Sequence, residues 1–288
     1  MLNSVRGPRC AVLLLLVAAA CGDDGGGGGG GGGADAAAVA STKLASCSGQ
    51  SPVRFAALDL PLMSASDISC VVNANNCTAA LACVGMRLAG ACPTTDMCID
   101  GDSLLRCIGG VGFEVSCAAW SGHGGPSCLT TTAGRGKCGV QACTTSAETC
   151  DGTNRVDCNS GVETRFDCDV LGVTCSTVGT GTECTNVSAS TCTGPGRCDG
   201  NEAVHCEAGL ELRTPCAGQI DGGECFMDGT TDVYCGYGND CNIDISTTGE
   251  TCDGTKLTYC LLGKTVTVDC AAVGFTGCFT DTVSTRCM

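Results

Sequence analysis

Apolar and polar residues alternate with period two along four short stretches, each ending on a cysteine. These are Val111, Phe113 and Val115 before Cys117; Val162, Thr164 and Phe166 before Cys168; Leu210, Leu212 and Thr214 before Cys216; and Val266 and Val268 before Cys270. Alternation puts one set of side chains on one face, so each stretch is predicted to be a β-strand with its cysteine turned inward. Ten residues upstream of that cysteine, with nine between, stands another (Cys107, Cys158, Cys206, Cys260), followed three positions later by a glycine (Gly110, Gly161, Gly209, Gly263). A glycine there supplies the positive φ of a hairpin tip. Ala208 and Leu262, just before two of these glycines, are poor at positive φ, which favours a type I turn with a G1 bulge over a type I′ turn. Asp151-Gly152, Asp199-Gly200 and Asp253-Gly254, with Asp100-Gly101 in the first case, open the first strand of each hairpin.

The hairpin lies inside a larger repeat of six cysteines. The first unit, 92–142, holds Cys92, Cys98, Cys107, Cys117, Cys128 and Cys138; the second, 143–191, holds Cys143, Cys150, Cys158, Cys168, Cys175 and Cys184. The third, 192–240, holds Cys192, Cys198, Cys206, Cys216, Cys225 and Cys235, and the fourth, 241–288, holds Cys241, Cys252, Cys260, Cys270, Cys278 and Cys287. Unit starts about 50 residues apart mark a tandem array. A second, shorter hairpin between the last two cysteines closes each unit, its turn visible at Asp228-Gly229 and at Gly179 to Gly181. Units this small bury too little apolar surface to fold without cross-links. Composition agrees: 30 cysteines, 3% aromatic residues and a single Trp leave disulfides to replace a conventional core. The expected fold is therefore small, disulfide-rich and mainly β, and it belongs in an oxidising compartment. Each unit admits 15 pairings, and spacing alone does not choose among them.

Residues 47–91 lack the hairpin signature. They carry Cys47, Cys70, Cys77 and Cys83, with Ser and Asp before Ile68 and Thr78 before an apolar run, which predicts a four-cysteine module of two short helices.

The first 20 residues place Arg6 and Arg9 ahead of a ten-residue apolar run, the order of a signal peptide and too short to span a bilayer. Ala18-Ala19-Ala20-Cys21 resembles the bacterial lipobox, although Ala18 stands where Leu is most common. The resemblance implies a diacylglyceryl group on Cys21 and, with Gly22 following, export to the outer membrane. Residues 21–46, with nine consecutive glycines from Gly25, read as a flexible tether whose ends lie about 25–30 Å apart. The glycine run is not a phosphate loop, since GxxxxGK[ST] is absent.

The pattern C-D-G-x5-C-x2-G-x6-C, behind a lipobox and a glycine tether, resembles the tandem cysteine-rich repeats of surface lipoproteins of myxobacteria and related Gram-negative bacteria. It covers 92–288 well and the preceding module loosely. It implies architecture and location, and it carries no catalytic residues with it.

Candidate chemistry is sparse. No CxxC occurs, so cysteine-ligated zinc is not expected. Asp240, Asn242, Asp244 and Ser246 echo a calcium loop, but Ile245 replaces the required glycine and Glu250 comes one residue early, so a solvated acidic loop is expected. His205 falls where the other units carry Arg106, Asp157 and Tyr259, and it reads as an exposed strand face. No GxSxG elbow is present. The longest insertion, AAWSGHGGPS, carries Trp120 and His123, with Arg135 in the next loop; this is the candidate binding surface. A net charge of −15, about −17 once Arg6 and Arg9 are removed, disfavours nucleic acid and anionic headgroups. The expected protein is a lipid-anchored envelope lipoprotein, periplasmic or surface-exposed. It takes no cofactor, and its non-catalytic ectodomain serves binding, adhesion or surface structure toward an envelope protein or glycan. The alternatives are an envelope enzyme with its site in inter-unit loops, or a redox or metal-handling protein.

Overall fold

The computed structural model describes residues 31–58, 60, 63–92, 95–108, 110–119, 125–145, 148–228, 232–243, 249–281 and 284–288. The first unit contains β1 (Met86–Ala91), β2 (Met97–Cys98), β3 (Ser103–Ile108), β4 (Val111–Ser116), β5 (Ser127–Thr130) and β6 (Gly136–Gly139). The second repeats this as β7 (Gln141–Ala142), β8 (Thr149–Asp151), β9 (Asn154–Asn159), β10 (Val162–Asp167), β11 (Cys175–Val178) and β12 (Gly181–Cys184). The third has β13 (Asn186–Thr191), β14 (Arg197–Asp199), β15 (Glu202–Glu207), β16 (Leu210–Pro215), β17 (Glu224–Asp228) and β18 (Asp232–Gly236). The fourth has β19 (Thr251–Asp253), β20 (Lys256–Leu261), β21 (Lys264–Asp269), β22 (Cys278–Thr280) and β23 (Thr285–Cys287).

Each central hairpin pairs without slack at its tip: Ile108 faces Val111, Asn159 faces Val162, Glu207 faces Leu210 and Leu261 faces Lys264. Two residues therefore make the loop. Ser160, Ala208 and Leu262 have φ of 57°, 50° and 45°, and the glycines after them 82°, 79° and 88°. Both central residues are left-handed, so the turn is type I′ rather than the type I turn with a G1 bulge that Ala208 and Leu262 argue for. The reason is twist. A type I′ turn matches the right-handed twist of six-residue paired strands, and the ladder imposes it at about 1–2 kcal/mol per non-glycine residue.

The first three sheets have four strands, in the orders β1-β4-β3-β2, β7-β10-β9-β8 and β13-β16-β15-β14. Their edge strands β1, β7 and β13 precede the first cysteine of the unit they complete. Neighbouring segments are thus joined by a shared strand, and a boundary drawn at the first cysteine cuts through the sheet. The fourth sheet has three strands. There the chain still approaches the hairpin tip, through Tyr237 N–H to Leu262 O at 2.9 Å and Cys241 N–H to Gly263 O at 3.2 Å.

The described cysteines form 14 disulfides. Connectivity is the same in every unit: first to third (Cys92–Cys107, Cys143–Cys158, Cys192–Cys206, Cys241–Cys260), second to fifth (Cys98–Cys128, Cys150–Cys175, Cys198–Cys225, Cys252–Cys278) and fourth to sixth (Cys117–Cys138, Cys168–Cys184, Cys216–Cys235, Cys270–Cys287). The fifth and sixth cysteines stand directly opposite each other in the second hairpin, for example Cys225 across from Cys235, yet each bridges to the first sheet instead. The two bonds thereby clamp the second hairpin onto the sheet. The fourth cysteines are the buried pins, Cys168, Cys216 and Cys270 being 0% exposed. Every bridge of the array lies within one unit.

Over residues 31–46 the structure corrects the tether reading, while 21–30 lie outside the described residues. Gly31–Ser48 is an 18-residue helix, α1, and Ala34, Ala37, Ala38, the whole stretch 40–45 and Ser48 are buried along it. A helix buried nearly all round is enclosed by the fold rather than laid on its surface, and its mostly small side chains let its neighbours approach closely. α2 (Pro52–Leu58), α3 (Ala65–Asn73) and α4 (Cys77–Cys83) follow. The two short helices expected from the sequence are α3 and α4. Ser64 and Asp67 form a capping box on α3, while Asn76, rather than Thr78, caps α4 by accepting the Ala79 N–H at 2.9 Å. Disulfides Cys47–Cys77 and Cys70–Cys83 tie the helices together. Lys43 on α1 donates to Val72 O at 2.7 Å and Ala74 O at 2.9 Å, closing the carboxyl end of α3.

The helices are also the joint between the two ends of the array. One buried cluster contains Leu44, Phe55, Leu60, Ile68, Val71 and Leu81, together with Phe113 of the first unit and Leu257, Tyr259, Leu261, Val266 and Val268 of the fourth. Tyr259 is 1% exposed; its hydroxyl donates to Ala38 O at 2.9 Å and accepts from Thr42 at 3.2 Å. Glu250 accepts from Ser51 of the helical module and from the Thr285 N–H at 3.0 Å. Asp240 accepts from the Thr265 N–H at 2.6 Å. Both carboxylates of the suspected calcium loop that fall among the described residues are thus committed to the fold.

Candidate functional site

Two of the unit joints share a register. There the residue before the sixth cysteine of one unit meets the residue before the third cysteine of the next. At the first joint these are Lys137 on β6 and Asp157 on β9, and the Asp157 charge opposes the effect of burial, which pulls the Lys137 ammonium below its usual range. At the second joint they are Glu183 on β12 and His205 on β15. Position 205 is therefore not simply an exposed face: its counterpart Tyr259 is buried under α1, and His205 is half-buried against the preceding unit.

The second joint carries one group more. Glu207 lies two residues beyond His205 on the same face of β15, at a place filled by Ile108, Asn159 and Leu261 elsewhere. The ligand atoms of Glu183, His205 and Glu207 all lie within 4.8 Å of one another. The Glu183 carboxyl is pushed up from the usual range, first by burial and then by the charge of Glu207 and a hydrogen bond with it; His205 and Arg155 act weakly in the other direction. Two carboxylates facing each other in this way favour one shared proton or a bound cation.

Beside them an open cleft of about 940 Å³ is lined by Glu148, Arg155, Phe166, Thr182, Glu183 and Glu207 among others. Its floor is pre-ordered. Glu148 accepts from the Thr182 N–H at 3.2 Å and pairs with Arg155 at 3.1 Å, so the backbone donor and the guanidinium hold its carboxyl below the ordinary range. The Arg155 Nε is buried with no hydrogen-bond partner among the described residues. The second unit's hairpin reaches the third unit through Thr185, whose hydroxyl donates to Arg213 O at 3.4 Å.

Of the residues expected to bind, Arg135 alone is described, and it does not line this cleft. Trp120 and His123 lie outside the described residues, as does Cys21. Arg135 is exposed at the tip of the β5–β6 hairpin, where its N–H donates to the Thr131 hydroxyl at 3.0 Å. The 24 cysteines of the units are all bridged, and the four turn glycines sit at hairpin tips with positive φ. His205 is visible in the sequence, but its partners are not. Aligning the units by cysteine and pairing the residue before the sixth with the residue before the next third finds Glu183, and period-two spacing along the strand adds Glu207. Comparison with protein-family models, with curated proteins and with solved structures yields no match.

Proposed function

We propose that the chain is a cell-envelope lipoprotein, anchored through Cys21, whose four stapled units form a non-catalytic ectodomain for binding, adhesion or surface structure. The observation that carries this reading is the uniform bridging of the described cysteines, which requires an oxidising compartment. The lipobox-like Ala18-Ala19-Ala20-Cys21 and the preceding apolar run supply the anchor. Among the described residues no helix is long and apolar enough to cross a membrane. An acidic surface suits a coat facing solvent rather than nucleic acid. Envelope proteins or glycans are the partners that fit this reading.

The test is the intact mass of protein extracted from membranes, with thiol alkylation before and after reduction. The expected species starts at Cys21, carries acyl mass there and takes up no alkylating agent until reduced. A chain without acyl mass overturns the anchor, and thiols reactive without reduction overturn the stapled ectodomain. A second reading, a metal-handling envelope protein, draws on the Glu183, His205 and Glu207 cluster.

A further inference from the structure

We propose that the joint between the second and third units binds one divalent first-row transition ion, held by Glu183 of β12 and by His205 and Glu207 of β15. The inference does not depend on the lipid anchor. Three ligand atoms within 4.8 Å lie close to the spacing a small ion needs. Bonds of about 2.0–2.2 Å in a tetrahedron put ligands roughly 3.4 Å apart, a difference that side-chain rotation closes. One imidazole with two carboxylates suits zinc better than calcium or magnesium, which prefer oxygen-only shells. Three protein ligands leave coordination positions free for water or a ligand, on the side where Glu183 and Glu207 line the cleft.

At the first joint Lys137 and Asp157 balance each other. At the second, the equivalent positions are an acid and an imidazole, and Glu207 adds a further acid. Arg155, the cation beside them, is paired with Glu148. The cluster therefore lacks the positive charge that its counterpart contains, and a divalent ion supplies it. The ion also supplies a covalent-like tie. No disulfide links the second unit to the third, whereas ligands from β12 and β15 bridge them. Protons compete for the same atoms, so affinity falls at acid pH.

The experiment uses the full chain in detergent, stripped of metal and titrated with zinc against a chromophoric chelator at neutral pH. One zinc per chain is expected, not displaced by excess calcium or magnesium. Glu183→Gln, His205→Gln and Glu207→Gln each weaken binding by at least about 10-fold, while Glu224→Gln, at the exposed first position of β17, leaves it unchanged. Zinc also slows amide exchange in β12 and β15. Binding is read in variants whose cysteines resist alkylation before reduction. Glu183→Gln, isosteric and at the cleft rim, decides the matter if His205→Gln does not fold. Absence of saturable zinc uptake, or uptake unaltered in the folded variants, overturns the proposal.

Discussion

Reduction of the disulfides under otherwise native conditions unfolds the second and third units first, and the helical module with the fourth unit last. The order follows from where the apolar surface is buried. Among the described residues the two contiguous buried clusters lie in the helices with the fourth unit and Phe113, and in the first unit around Leu104 and Val115. No buried member of either comes from the second or third unit. Those units bury only a few apolar side chains apart from cysteines, such as Val162, Val173 and Val178 in the second and Val204, Leu212 and Ile220 in the third. Their bridges span between 14 and 27 residues, and each contributes about 3 kcal/mol by restricting the unfolded chain. Nothing else in a unit of this size replaces three such restraints. Hydrogen exchange followed while reductant is raised reads this directly. Peptides in β9, β10, β15 and β16 lose protection while α1, β20 and β21 keep theirs. Simultaneous loss in all peptides contradicts this order.

Tyr259→Ala is expected to cost about 3–5 kcal/mol, the range for deleting a fully buried aromatic side chain. Tyr259→Phe, which removes only the hydroxyl shared by Ala38 and Thr42, costs about 1 kcal/mol. The alanine variant opens a cavity where α1 meets β20, between the module that leads into the first unit and the last sheet of the array. Denaturant unfolding gives the loss of stability, and amide exchange shows α1 losing protection before the disulfide units do. A tether over residues 31–46 predicts the opposite: both substitutions near neutral and α1 unprotected in the native protein.

The repeat itself was legible because cysteine, glycine and period-two patterning all recur at fixed offsets, each a consequence of one hairpin geometry. Strand placement, inward cysteines and the Asp-Gly turns come directly from it. Local φ preference at Ala208 and Leu262 points to the wrong turn because strand twist, a property of the whole ladder, overrides it. α1 was hidden by glycine and alanine. It is buried nearly all round, 40–45 without a break, so no apolar face stands out, and small residues with Ser, Thr and Lys among them carry little hydrophobic contrast. Disulfide pairing was not legible, since the fifth and sixth cysteines are the closest neighbours on opposed strands and still do not join. At the candidate site, position 205 shows Arg, Asp, His and Tyr across the units. That variety looks like an exposed face when units are read singly. At 157, 205 and 259 it instead answers three different neighbours, Lys137, Glu183 and α1.

The central claim is a single connectivity repeated four times, and proteolysis of the unreduced chain followed by mass mapping of linked peptides tests it most directly. Cys198–Cys225, Cys216–Cys235 and Cys192–Cys206, with their equivalents in the other units, are the predicted links. A Cys225–Cys235 link, its counterpart in another unit, or any bridge between units contradicts it.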